Sequence, residues 1–145
     1  MPNHKSVEYT YVTAPDATVP APETFLAPSD IHGRVRLCYG KLEGGEQTLA
    51  EDDTVQFFEL PAGARPLGFI INTGAMGSSV TLSLGDGTTA DRFVTAYSVA
   101  AATNSVKASE DMSVLTADTV LTATLAGANP ADDKDIEVVA LYATD

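Results

Sequence analysis

The side chains that most often act as bases or nucleophiles are few in this sequence. It contains two histidines, His4 and His32, and one cysteine, Cys38. A catalytic histidine needs a firmly held ring, and both histidines lie in or next to a proline-rich N-terminal segment. A thiol nucleophile needs a neighbouring base, and one cysteine with two histidines does not build the usual structural zinc site. We therefore expect these three residues to be structural or surface residues.

Two acidic loops offer oxygen ligands instead. One contains Asp86 and Asp91, and the other contains Asp132, Asp133 and Asp135. Neither loop follows the twelve-residue pattern that arranges oxygens around calcium. The loops are predicted to be ordinary solvated turns, with a surface calcium site as the alternative. We predict no metal and no cofactor.

Two further acids, Glu59 and Glu137, each fall inside a predicted strand, which is where the paired carboxylates of a glycoside hydrolase could sit. Sugar sites also use aromatic platforms, and the chain has no tryptophan. We therefore predict that the protein is not an enzyme. A hydrolase or a sugar-binding β-domain is the alternative that these two residues leave open.

Chain length, net charge and the distribution of apolar residues limit the kinds of partner that the protein can bind. The chain has 145 residues, enough for one domain with a sizeable core, and a formal net charge of -12. Such a charge repels phosphate backbones, so direct nucleic-acid binding is not expected. No stretch approaches eighteen consecutive apolar residues, and the first residues lack the apolar run of a leader peptide. We expect synthesis in the cytosol and no membrane partner.

The elements that must carry these residues are short strands. Apolar residues alternate with polar ones over short segments, and turn residues recur about every ten positions, which is typical of a sandwich or jelly roll. The segment "GRVRLCYG" alternates Val35, Leu37 and Tyr39 against Arg34, Arg36 and Cys38, which predicts a strand with one polar face. We predict an all-β fold, a jelly-roll-like β-sandwich of about eight antiparallel strands over residues 31–145. The strands are predicted in "GRVRLCYG", "TVQFFEL", "ARPLGFIINT", "SVTLSL", "RFVTAYSVA", "ATNSV", "DMSVLTADT", "VLTATLAG" and "IEVVALYA", with a helical turn as the alternative in the alanine-rich stretch around "ATNSV".

Residues 1–30 form a separate segment with five of the eight prolines. This composition favours an extended N-terminal arm and excludes a continuous helix. The arm contains "VEYTYV", which has the period of a strand. A strand of this kind is suited to addition at an exposed sheet edge. Its predicted contact residues are Val7, Tyr9, Tyr11, Phe25 and Leu26, and a neighbouring subunit is the surface they are expected to find.

The segment "LPAGARPLGF" is predicted to be a tight turn between two paired strands. Pro61 and Pro66 restrict the backbone, and Gly63 permits the reversal. We expect these three residues to make a rigid hairpin.

The segment from residue 33 to residue 85 resembles small structural proteins of tailed bacteriophages. In these proteins a "GRVR" strand is followed by "LPAGARPLG" and then by a "GSSVTLSLG" strand, and the middle third of this chain shows the resemblance best. Some proteins of this kind are capsid decoration (cement) proteins, often jelly-roll trimers, and others are fibre or tail components.

The resemblance implies a virion structural protein and leaves its exact location open. We predict a capsid decoration protein on the outer surface of the phage head. It would clamp neighbouring subunits of the major capsid protein and act as a homotrimer. The alternative that the resemblance leaves open is a fibre, tail or receptor-facing attachment module.

Overall fold

The computed structural model describes residues 34–45, 47–131 and 133–144, and these residues form eight β-strands. The described residues do not include the N-terminal arm, with its predicted contact residues Val7, Tyr9, Tyr11, Phe25 and Leu26, nor the two histidines His4 and His32. The strands are β1 (Arg34–Leu42), β2 (Thr54–Leu60), β3 (Arg65–Thr73), β4 (Thr81–Gly85), β5 (Val94–Ser98), β6 (Thr103–Ala108), β7 (Thr119–Ala126) and β8 (Ile136–Thr144).

The strands form two antiparallel four-stranded sheets. Sheet A has the order β1-β8-β3-β6, and sheet B has the order β2-β7-β4-β5. This interleaved order is that of an eight-stranded jelly roll, in which successive strands repeatedly cross between the two layers. The predicted all-β fold, with its number of strands and antiparallel pairing, is therefore confirmed.

The core lies between the two sheets. Phe69 on β3 and Phe93, which directly precedes β5, are fully buried with ring centroids 5.7 Å apart. Their contact joins one sheet to the other. The remaining large side chains with almost no exposure are aliphatic or methionine: Leu60, Ile71, Met76, Val80, Leu82, Leu84, Val99, Leu121, Leu125 and Ile136.

The strands flanking the turn at residues 61–64 do not form a hairpin, so that prediction was wrong. β2 pairs with β7 in sheet B, whereas β3 pairs with β6 and β8 in sheet A. The turn still needs Gly63, whose φ is +86°. Its amide donates to the carbonyl of Leu115 at 2.7 Å, and the amide of Ala62 donates to the carboxylate of Asp118 at 2.8 Å. Pro66 is buried within β3. The chain here crosses between layers, which local sequence does not distinguish from a reversal within one layer.

The structure also tests the predictions for the two segments around β6, the alanine-rich stretch and residues 111–118. Within the alanine-rich stretch, Thr103–Ala108 form strand β6 and residues 99–102 form a loop, so the alternative of a helical turn there was wrong. The segment 111–118, predicted as a strand, is a loop. The carboxylate of Asp111 accepts hydrogen bonds from the amide and hydroxyl of Ser113, which favours a turn at the start of this segment. The predicted terminal strand is β8, which lies between β1 and β3.

Candidate functional site

The outer face of sheet A carries an apolar surface that the core does not use. Strand pairing aligns Tyr39 with Val139, Val139 with Ile70, and Ile70 with Val106, so one apolar row runs across all four strands. A second row runs beside it through Leu37, Leu141, Gly68 and Ala108. Together with Val35, these two rows are called the outer apolar face below.

Several members of the outer apolar face are strongly exposed. The exposed fractions are 63% for Val35, 64% for Leu37, 59% for Tyr39 and 68% for Val106. Scattered apolar residues are normal on protein surfaces, but a contiguous patch marks an interaction surface. Four side chains of this size expose on the order of 400 Å², which is within the range of functional patches on monomers.

A polar row borders the apolar face at one end of sheet A. Here Lys41 pairs with Glu137, and Glu137 with Asn72. Glu137 accepts hydrogen bonds from the hydroxyl of Tyr39 at 3.3 Å and from the side-chain amide of Asn72 at 2.7 Å. Lys41 forms an ion pair with Asp135 at 3.0 Å. These contacts hold the polar end of the face in one arrangement.

The edge of sheet A at β1 is long and regular. β1 pairs with β8 in unbroken register over nine residue pairs, and among the described residues no strand pairs with its other side. The other edges are shorter or irregular. The pairing of β2 shifts register between Gln56 and Phe58, β5 has only five residues and a shift in its pairing, and β6 has six residues. Shortness and bulges are the usual protections of sheet edges, and β1 has neither.

The charge of β1 is opposite to that of the chain. Its basic side chains are Arg34, Arg36 and Lys41, and it carries no acid, whereas the whole chain has a formal charge of -12. Basic residues at a strand edge disfavour pairing with an identical strand. The same residues attract an acidic partner.

A partly buried ion-pair network connects the turn after β4 to the loop after β6. The guanidinium of Arg92 donates to Asp111 at 2.7 Å and to Asp86 at 3.0 Å. Hydrogen bonds from Ser113 and then from Arg92 lower the pKa of Asp111 to about 2. The pKa of Asp86 is also lowered, first by the amide of Thr89. The network links segments that are distant along the chain.

The acids singled out from the sequence do not come together. Glu59 lies on β2 in sheet B and Glu137 on β8 in sheet A, so they form no catalytic pair. Asp86 and Asp91 share a loop. There the carboxylate of Asp86 forms an ion pair with Arg92 and accepts hydrogen bonds from backbone amides. Within residues 34–45, 47–131 and 133–144, no group of three His, Cys, Asp or Glu side chains is placed to hold a metal.

An open cleft of about 410 Å³ lies at the end of sheet A, between β3 and the loop before β8. Its carboxylates include Asp133, Asp135 and Glu137. Each is engaged: Asp133 pairs with Lys134 at 2.6 Å, Asp135 with Lys41, and Glu137 with its two hydrogen-bond donors. Asp132 lies outside the described residues.

The exposed face of β1 is the feature that the sequence analysis missed. Alternation in this strand predicted one polar face, and such a strand normally turns its apolar side inward. Cys38 instead faces the interior, half-buried, with its thiol 3.8 Å from the hydroxyl of Tyr142. Val35, Leu37 and Tyr39 point outward. The available signal was Cys38 itself, because a free cysteine is among the most buried residue types.

No protein-family model and no curated protein matches the chain. The solved structures that match include chains of three phage capsids. A chain of the cyanophage Pam1 capsid asymmetric unit has 23% sequence identity and a TM-score of 0.67, covering 89% of this chain and 99% of that one. A chain of the capsid of Ralstonia phage GP4 has 20% identity and a TM-score of 0.63, covering 78% and 86%. A chain of the acid-stable capsid of Helicobacter pylori bacteriophage KHP30 has 16% identity and a TM-score of 0.54, covering 78% and 90%.

At these identities the likeness establishes a shared fold. The aligned part is nearly the whole Pam1 chain, so that capsid component is shorter than this chain and consists almost entirely of the shared fold. In the described part of this chain, no helix is long and apolar enough to span a membrane.

Proposed function

We propose that this protein is a phage capsid decoration (cement) protein, which binds the outside of the head and clamps neighbouring major capsid subunits. It acts as a homotrimer and has a mechanical role without a catalytic step. The observation that carries the proposal is the fold shared with components of three phage capsids, one of them a small chain matched over 99% of its length.

The surface of the domain supports this role. The outer apolar face presents four exposed apolar side chains on one side of a rigid sandwich. Contact with a flat protein surface would remove these side chains from water, at about 25 cal/mol per Å². The net charge of -12 keeps a protein soluble at the high local concentration of a decorated shell. The outer apolar face is therefore assigned to the contact with the shell.

The proposal is tested by adding the purified full-length protein to heads that lack it. Binding is measured by co-sedimentation, and the disruption temperature of the heads is measured with and without protein. We expect saturable binding and a higher disruption temperature. Absence of binding at saturating concentration would contradict the proposal.

A matched pair of variants tests the surface. Val106→Glu places a charge on the outer apolar face, and Thr116→Glu places the same charge on an exposed loop. Burying a valine contributes about 1.5–3 kcal/mol, so the first change should weaken binding at least about tenfold. The second should leave binding unchanged. Equal binding by both variants would exclude this face as the contact.

Antibody labelling distinguishes the proposed location from the fibre or tail alternative. A decoration protein is labelled over the whole head. Labelling restricted to the tail or to one vertex would instead identify an attachment module.

A further inference from the structure

The edge of sheet A at β1 has the length and regularity that strand addition requires. It is nine residues long, in regular register with β8, and open on its other side within the described part of the chain. Exposed edges of this kind accept an extended segment through main-chain hydrogen bonds, and the alternating side chains of the added strand give specificity. We propose that residues 7–11 of a second copy of the chain add to this edge. The inference deepens the proposed function and rests on it for the homotrimer.

The alternation of the segment matches that of β1. On β1, Val35, Leu37 and Tyr39 lie on the outer face, while Arg34 and Arg36 point to the other side. In a strand, side chains alternate between the two faces, so the segment "VEYTY" presents Val7, Tyr9 and Tyr11 together and turns Glu8 the other way. Placed beside β1, its apolar residues continue the outer apolar face, and Glu8 lies next to the arginines.

Charge also favours this segment over a second β1. Residues 1–33 contain one lysine and the four acids Glu8, Asp16, Glu23 and Asp30, which complement the three basic residues and no acids of β1. Direct pairing of two β1 edges would bring the basic side chains of both strands to one edge with no acid between them, and like charges close together destabilise a sheet.

The length of the connecting segment favours a second copy over the same chain. Residues 13–33 include four prolines, at positions 15, 20, 22 and 28. Such composition favours extended conformations with a rise of about 3.1 Å per residue, so these 21 residues would reach roughly 65 Å. β1 itself is about 30 Å long. In that extended form the connection is about twice as long as β1, which lowers the effective concentration of residues 7–11 at the β1 edge of their own chain and favours a neighbour as the acceptor. Head-to-tail contacts of this type form rings such as trimers when the rotation between neighbouring copies closes.

Amide hydrogen exchange of the full-length protein in solution tests the added strand. Strand addition protects the β1 amides that point away from β8. The variant Tyr9→Pro removes an amide donor and disrupts the segment, and Thr18→Pro is the matched control elsewhere in the arm. We expect exchange of these amides to be at least about tenfold faster in Tyr9→Pro than in the wild type or the control. Unchanged exchange in Tyr9→Pro would overturn the proposal.

Cysteine cross-linking identifies the chain that supplies the strand. In a Cys38→Ser background, Glu8→Cys is combined with Arg34→Cys or with Arg36→Cys, because adjacent strands bring Cα atoms within disulfide range. We expect one of these combinations to give covalent oligomers under oxidising conditions, and a control with Glu23→Cys in place of Glu8→Cys to give none. A cross-link only within single chains, or no cross-link at all, would overturn the assignment to a second copy.

These solution experiments are independent of capsid binding. If the wild type binds heads but its β1 edge becomes protected only on the particle, the edge belongs to the shell. Addition of residues 7–11 from a second copy is then excluded, while the proposed function stands. A protected edge in a protein that does not bind heads would overturn the proposed function alone.

Discussion

Replacing Asp111 with asparagine removes one charge from the network that joins the turn after β4 to the loop after β6. In the native protein the carboxylate accepts hydrogen bonds from Ser113 and from the guanidinium of Arg92, at 2.6 and 2.7 Å. Asparagine keeps the approximate size of the side chain and retains one acceptor oxygen. The change therefore measures the contribution of the negative charge more than that of packing.

The magnitude follows from the lowered pKa of Asp111. Its value of about 2, against an ordinary 3.8, corresponds to at most roughly 2 kcal/mol, since one pKa unit equals about 1.4 kcal/mol. The side chain is one-third exposed, with a relative exposure of 33%, and solvent screening reduces this contribution. We expect a loss of about 1 kcal/mol at pH 7, or roughly 3–5 °C in Tm for a domain of this size.

The contribution of Asp111 to stability should also depend on pH, in a direction set by its lowered pKa. Because the pKa is lower in the folded protein than in the unfolded chain, the carboxylate stabilises the fold fully above about pH 4. This contribution is lost as the pH falls through about 2. The Tm of wild type and variant, followed by far-UV circular dichroism, should therefore differ at pH 7 and converge toward pH 2.

The control is Asp91→Asn, which removes one charge from an exposed residue of the neighbouring turn. It should change Tm by far less at pH 7. Two results would refute the reasoning: equal Tm values for wild type and Asp111→Asn at neutral pH, or a difference between them that persists undiminished toward pH 2.

Three further predictions concern the fold. Phe69→Ala removes a fully buried ring between the sheets and should lower the free energy of unfolding by about 3–5 kcal/mol in urea titrations, whereas a loss below 1 kcal/mol would place the ring outside the core. Gly85→Ala would set its Cβ against the backbone at Thr89, so we expect destabilisation by more than about 1 kcal/mol in the same assay, and an unchanged midpoint would contradict this packing. Hydrogen bonds, the strongest of them with Ser105, lower the pKa of Tyr97. Subtracting the ultraviolet pH titration of Tyr97→Phe from that of the wild type should therefore show a tyrosine that ionises below pH 10. A midpoint at or above pH 10 would be inconsistent with this contact.

The sequence predicted the fold class because strand periodicity and turn residues are local signals. Alternation in "SVTLSL" and "IEVVALYA", with glycines and prolines between the strands, indicates a β-sandwich without any knowledge of the partners. Gly63 was identified at its turn for the same reason, since a positive φ is a property of a single residue. The predicted terminal strand was likewise confirmed as β8.

Only the tertiary structure decided which strands are neighbours and which face of each strand is buried. Alternation in β1 defines two faces but does not say which one meets the core, and the exposure of Leu37 follows from where sheet B lies. Similarly, the local sequence of a turn at Gly63 is the same whether the next strand joins the same sheet or the opposite one. Arg92 and Asp111 form an ion pair because two connections meet at one end of the sandwich, although neither residue's local sequence marks the other. The local backbone preferences of the chain determined its strands, while the packing of the two layers determined the surface that is left for a partner.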